Sequence, residues 1–176
     1  MRILRADRAD VKSCAALDHF YTTSYAWRFG EQEEGGTLSF ALSPIRLPRR
    51  ARIPYPKPLD HLMADLETSA CFLVARERRE TWGYIDLRLQ GWQRAGWIEH
   101  LVVASERRRQ GIGSALLERA TRWAVAHHLR RLMADVPTNN HAAICFLQSH
   151  HFVFCGFHER YYAEQDIALF FSKDLP

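Results

Sequence analysis

Six consecutive residues, Arg108-Arg109-Gln110-Gly111-Ile112-Gly113, join cations to a glycine pair. That combination suits a cradle for phosphate. The segment comes after the apolar run Leu101-Val102-Val103 and a short spacer, and it opens a stretch in which Ile112, Ala115, Leu116, Ala120, Trp123 and Ala124 fall at helical spacing. The pattern is strand, loop, helix. The first amides of a helix lack intrahelical acceptors, and the helix dipole adds partial positive charge there. Glycine lets a bulky diphosphate reach the backbone, and Arg107, Arg108 and Arg109 add charge just outside. A lone glycine pair is more often a simple loop. Here the strand before it and the amphipathic helix after it give it context. The Lys-Ser/Thr of a P-loop is missing, and Arg130 and Arg131 stand where a dinucleotide fold places its acidic residue.

Other conspicuous residues read as structural. Cys14, Cys71, Cys145 and Cys155 form no CxxC pair and are too widely spaced for a zinc module, so reduced, mostly buried thiols and no metal are expected. Trp82, Trp92, Trp97 and Trp123 are expected in the core or at its rim. His127-His128 and His150-His151 should end helices. The net charge of +4 is scattered over Arg49-Arg50, Arg78-Arg79, Arg107 to Arg109 and Arg130-Arg131. A nucleic-acid reader more often shows one dense basic stripe, so no nucleic-acid partner is expected. No apolar run approaches membrane-spanning length, and the opening Met1-Arg2-Ile3-Leu4-Arg5-Ala6-Asp7 lacks a signal-peptide core. A cytoplasmic protein without membrane contact is expected.

The 176 residues, 47% of them hydrophobic, fit a single domain spanning 1–176. A strand over 3–5 leads to a helix over 7–20 capped by Asp7, with Val11, Cys14, Ala15 and Leu17 inward. Residues 21–58 are irregular apart from a strand at 37–42. Pro44, Pro48, Pro54, Pro56 and Pro58 break regular structure beyond that strand. A helix over 59–66 precedes three strands, 71–76, 82–89 and 97–103, joined by short turns as an antiparallel meander. A helix over 111–127, a strand at 132–136, a helix over 141–150 and strands at 152–157 and 167–172 complete the chain. The class is α+β: a mixed, mostly antiparallel sheet of about six or seven strands flanked by helices.

The stretch from Leu101 to Leu117, LVVASERRRQGIGSALL, resembles the acetyl-CoA motif of the GNAT acetyltransferase superfamily, [R/Q]-x-x-G-x-[G/A], with Arg108, Gly111 and Gly113 in its fixed positions. Asp135-Val136 followed by Asn140, Ala143, Ile144, Phe146 and Phe152 resembles a second region of that family. Within it the chain resembles streptothricin (nourseothricin-type) acetyltransferases. That likeness lies in Leu17-Asp18 with Thr22-Thr23, Gly91-Trp92-Gln93-Arg94 with Ile98-Glu99, Cys155-Gly156 with Tyr162, and Ala168-Leu169. It covers nearly the whole chain, loosely in the proline-rich segment.

The resemblance implies the GNAT fold and acetyl-CoA as co-substrate, with no metal. It implies that Arg108, Arg109, Gln110, Gly111, Ile112, Gly113 and Ser114 hold the pyrophosphate. The backbone of Leu101, Val102 and Val103 would hold the pantetheine and polarise the thioester carbonyl, and Asn140 would contact the pantetheine arm. The amine attacks the thioester directly, so deprotonation of the incoming ammonium is the task. Glu99 is the first choice of base. Asp135 matches a second acidic position of the family, and His100, replacing an aspartate of the subgroup, is a base or substrate contact. The family's thiolate-protonating tyrosine falls at Leu147, so the thiolate leaves unassisted or Tyr161 or Tyr162 substitutes. The family's Gly-Phe reads His151-Phe152. A polycationic small-molecule amine would meet Glu31, Glu33, Glu34, Asp86, Glu99 and Glu164, although a second acidic position reads Val102. Three readings remain open: an N-acetyltransferase for a small primary amine, a degenerate domain that binds CoA as sensor or scaffold, and a protein N-terminal or lysine acetyltransferase. Family members often pair through strands, which makes a homodimer an expectation.

Overall fold

The computed structural model describes residues 1–59, 62–78, 80–164 and 166–176. Expectations on residues 60 and 61, at the start of the second helix, and on residue 79, in the turn between strands, lie outside them. The elements are β1 (Arg2–Arg5), α1 (Arg8–Ala15), β2 (Tyr21–Glu34), β3 (Thr37–Ile53), α2 (Leu62–Thr68), β4 (Cys71–Glu77), β5 (Glu80–Gln90), β6 (Ala95–Val103), α3 (Ile112–Ala126), β7 (Arg131–Pro137), α4 (His141–Ser149), β8 (Val153–His158) and β9 (Ala168–Asp174).

Seven strands form one sheet in the order β1-β4-β5-β6-β7-β9-β8. Among the described residues only β6 and β7 run parallel; every other neighbouring pair of the sheet is antiparallel. The mixed α+β sheet agrees with the sequence pattern, and the meander is β4-β5-β6. One sheet face carries Ile85, Leu87, Leu132 and Leu169 against Leu116, Leu117 and Ile144 of α3 and α4. The other carries Phe72, Val74, Tyr84 and Val102 against Val11, Cys14 and Leu62 of α1 and α2. Covering on both faces explains why Cys71 to Ala75 is apolar without alternation.

Two expectations change. The first helix stops at Ala15, not near residue 20, and Ala15 is exposed. Asp7 caps it as read, accepting from the Ala9 and Asp10 amides. Asp18 then accepts from the Phe20 amide, an Asx turn that competes with further helix. The stretch 21–58 is not irregular either. Most of it is a long ribbon of β2 and β3, paired from Tyr21↔Ile53 to Glu34↔Thr37. Its prolines fit because the ribbon is a separate two-stranded sheet. Every strand of such a sheet has an open edge, where a missing N–H costs no ladder bond. Pro48 lies in the bulge between the pairs Thr23↔Ala51 and Tyr25↔Arg46. The ribbon touches the main fold where the Trp27 amide donates to the Thr138 carbonyl at 2.8 Å.

Candidate active site

Strands β6 and β7 pair only from Ala95↔Arg131 to Ile98↔Ala134, and then they part. The next residue on each strand is a carboxylate, Glu99 and Asp135. Glu99 is also the extra residue of a bulge: Asp86 and Leu87 of β5 face His100 and Ile98 of β6, which leaves Glu99 unpaired. A cleft of about 810 Å³ opens in this splay, a size ordinary for a small-molecule or cofactor site. It runs from the N-terminus of α3 to the two carboxylates.

At the α3 end no side chain among the described residues caps the helix. Asp7 and Asn140 close the N-termini of α1 and α4, but α3 starts at Gly111, which offers none. Gly111 has φ 81° and Arg109 φ 63°, so two left-handed residues curl the loop. The first-turn amides of Ile112, Gly113 and Ser114 therefore face the cleft as an anion site. The arginines divide their work. Arg107 pairs with Glu80 at 3.0 Å and lies over the Trp82 ring. Arg108 donates to the carbonyls of Val103, Phe20 and Asp18. Arg109 is exposed at the cleft. The Ser114 hydroxyl is 2.9 Å from His150 Nε2.

Leu101, Val102 and Val103 line the middle of the cleft. Past Ile98, β6 has lost β7, so its backbone groups on that side have no strand partner among the described residues. Such groups need an acceptor or donor from elsewhere. Asn140 lines the same wall, its Oδ1 taken by the Ala143 amide.

At the far end the ammonium of Lys57 bridges both carboxylates. Its Nζ is 2.9 Å from Asp135 Oδ1, 3.6 Å from Glu99 Oε2, and donates to the Glu99 carbonyl at 3.1 Å. The second Asp135 oxygen accepts from the Tyr162 hydroxyl at 2.7 Å.

Several expected site residues stand elsewhere. His100 is not in the cleft. The bulge at Glu99 reverses the alternation of β6, so that Leu101 and Val103 keep to the face of Ile98 while His100 and Val102 turn to the other sheet face. There it is buried, 2.9 Å from the Tyr55 hydroxyl and 3.6 Å from Asp65. Burial, then the nearby Lys57 charge, lowers its pKa to about 3, so it is a neutral ring. Asp86 shares that face. Burial raises its carboxyl to about 7 against the opposing Ser69 hydrogen bond, and it does not line the cleft. Tyr162 is behind the cleft wall; its proton is engaged by Asp135, and burial and that carboxylate push its pKa up. Gln110 is exposed and turns back to the Glu106 carbonyl at 3.1 Å, off the cleft lining. Of the acidic residues expected around a cation, Glu31, Glu33, Glu34 and Glu164 are exposed away from the cleft, leaving Glu99 with Asp135. Leu147 does line the cleft, buried, at the position where the resemblance places a proton donor. Cys145 is exposed rather than core, with its sulfur 3.5 Å from His141 Nε2, and so is Cys155. Trp92, in a turn between strands, is 84% exposed rather than at the rim.

Reading residues alone missed Tyr21, Tyr55 and Lys57, which close the cleft from the ribbon side. The prolines around Lys57 gave only a loop signal.

Comparison with known proteins agrees with the geometry. Residues 41–152 match the family model of the acetyltransferase (GNAT) family. Streptothricin acetyltransferase A of Bacillus subtilis (strain 168) is 34% identical over 95 residues, 54% of each chain. Streptothricin acetyltransferase of Escherichia coli is 34% identical over 115 residues, 64% of this chain and 61% of that one. The chain thus spans between about half and three-fifths of these curated relatives. The crystal structure of nourseothricin acetyltransferase superposes with TM-score 0.85 at 24% identity, over 99% of this chain and 98% of that one. A Bacillus anthracis (strain Ames) protein bearing the name of a streptothricin acetyltransferase, solved with acetyl coenzyme A, superposes with TM-score 0.74 at 18% identity, over 99% of both. At these identities the two structures show a shared fold.

Proposed function

The chain belongs to the acetyltransferase (GNAT) family, and from that premise we propose that it transfers an acetyl group from acetyl-CoA directly to a primary amine of a small cationic molecule of the streptothricin type. The observation that carries this reading is the cleft joining an uncapped helix N-terminus to a pair of carboxylates. One end suits a diphosphate and the other an ammonium, with unpaired strand backbone between them.

The amides opening α3 hold the pyrophosphate, aided by the exposed charge of Arg109. Backbone groups of Leu101 to Val103 take the amide arm and polarise the thioester carbonyl. Asn140 fixes the start of α4 beside that arm. Glu99 accepts the proton of the incoming ammonium, with Asp135 adding negative charge beside it. The free amine attacks the carbonyl carbon, and the CoA thiolate leaves. A thiol with a reference pKa of about 8.5 leaves without a proton donor, which suits Leu147 at the position where the family carries tyrosine. The acceptor's cationic character rests on Glu99 and Asp135 and on the names of the relatives.

Leu147 also gives the sensor reading one observation in its favour. Free thiol release from acetyl-CoA with a panel of amines, streptothricin included, separates the two. Amine-dependent release supports the transferase. Tight binding of acetyl-CoA without release on any amine supports the sensor.

A further inference from the structure

We propose that Lys57 is an acetyl acceptor within the chain itself: its ε-amine fills the ammonium subsite between Glu99 and Asp135 and takes the acetyl group when acetyl-CoA is bound without an external amine. This rests on the reading that the cleft holds acetyl-CoA.

The placement is that of a substrate, not of a surface ion pair. Glu99 and Asp135 are the first residues past the last β6–β7 pair, and Nζ sits between them with three oxygen neighbours at 2.9, 3.1 and 3.6 Å. The side chain is 16% exposed and the Asp135 side chain 2%. An external ammonium entering the splay would meet these same atoms. Nζ donates a hydrogen bond to the Glu99 carbonyl. Leu101, the first residue of the thioester-binding backbone, is two strand positions on, roughly 7 Å at the usual rise per residue. A change of rotamer along the whole four-bond lysine side chain covers such a distance. Pro56 and Pro58 flank the lysine and restrict its backbone, so that the side chain is held toward the cleft.

The residue type matters too. Of 24 basic residues, all are arginine except Lys12, Lys57 and Lys173. For a bridge between two carboxylates, arginine's planar fork is the better fixed ion. Arginine stays protonated and cannot attack a carbonyl; lysine can once deprotonated. Lys12 and Lys173 do not line the cleft.

The step balances without a further reactant. A cleft carboxylate takes one proton from the ammonium. The neutral nitrogen attacks the thioester carbon, the C–N bond forms and the C–S bond breaks. Coenzyme A leaves as thiolate and picks up a proton; the second nitrogen proton passes to solvent. The products are N-acetyl-lysine, coenzyme A and one proton. Acetylation also removes the cation between Glu99 and Asp135, which leaves that pair charged toward an external ammonium.

The test incubates the full chain with acetyl-CoA and no amine, measures binding by calorimetry, and tracks intact mass and peptide maps. The expected result is one acetyl group per chain, on Lys57 and not on Lys12 or Lys173. Its first-order rate should not depend on protein concentration. Lys57→Arg, which keeps the ion pair, should abolish the gain, and Glu99→Gln should slow it about 100-fold or more, by loss of the base. Acetyl-CoA that binds while Lys57 stays unmodified overturns the proposal and leaves the acetyl-CoA reading intact. Equal acetylation of all three lysines, the mark of spontaneous chemistry, also overturns it. Absence of acetyl-CoA binding overturns both.

Discussion

Arg108 and Val103 hold each other across the loop they bound: the Arg108 Nε–H donates to the Val103 carbonyl at 2.9 Å. The same guanidinium donates to the carbonyls of Phe20 at 2.8 Å and Asp18 at 3.2 Å. The residue in the motif's fixed basic position is therefore a strut. It ties the end of β6 to the start of the ribbon and sets the loop that presents the α3 amides. Arg108→Ala should destabilise the fold by about 1–3 kcal/mol, the usual worth of charged hydrogen bonds, and weaken acetyl-CoA binding through the displaced loop. Arg108→Lys should recover less than half of the stability, because one ammonium cannot span three carbonyls. Urea denaturation of the three proteins checks this.

The buried pair behind the cleft makes stability depend on pH in two opposed ways. His100 is neutral in the fold with a pKa near 3, below its ordinary 6.5. Its contribution is whole above pH 6.5 and is lost as pH falls from there toward 3, because the unfolded chain then binds the extra proton. Asp86 is raised from 3.8 to about 7. Its contribution is whole below pH 3.8 and is lost as pH rises through 7. Between about pH 4 and 6.5 the two slopes cancel in the wild type. His100→Gln leaves Asp86 alone, so stability relative to wild type should rise steadily as pH falls from 6.5 to 4. Thermal melts across that range with both proteins measure the difference; a constant difference would contradict the assignment of these two groups.

Glu99 lies on the cleft, and Tyr162 and His100 do not. Glu99→Gln should lower kcat by about 100-fold or more, the usual worth of a general base, while acetyl-CoA affinity stays within about twofold. His100→Gln and Tyr162→Phe should act through stability and the orientation of Asp135, with far smaller losses of kcat in the folded protein. Steady-state kinetics on an accepted amine, beside calorimetry with acetyl-CoA, separates these effects.

Legibility in the sequence depended on how local the signal was. The β6–loop–α3 unit could be read because the hydrophobic period changes from strand to helix around two glycines within one short stretch. The meander could be read from apolar runs separated by polar turns. The ribbon of β2 and β3 could not, because five prolines over 44–58 spoke against strands, although Pro54, Pro56 and Pro58 lie beyond β3 and an open sheet edge makes Pro44 and Pro48 tolerable. Lys57 could not either, since it meets Glu99 and Asp135, 42 and 78 positions away. Nothing near residue 57 announces that contact. Tyr162 is marked by family position, but it does not line the cleft and its proton is engaged by Asp135. His100 has suitable chemistry, and the bulge at Glu99 turns it to the other sheet face.

Gly111 tests the central claim most directly. Its φ of 81° disfavours any side chain, yet a Cβ there would meet no atom within 4 Å. Substitution therefore adds backbone strain of about 1–2 kcal/mol without a clash in the protein. Gly111→Asp also places a carboxylate where the pyrophosphate is expected. Calorimetric titration of wild type, Gly111→Ala and Gly111→Asp with acetyl-CoA should show one site per chain in the wild type, modest weakening in Gly111→Ala and no measurable binding in a folded Gly111→Asp. A folded Gly111→Asp that binds acetyl-CoA as tightly as wild type would contradict the assignment of this loop as the cofactor site.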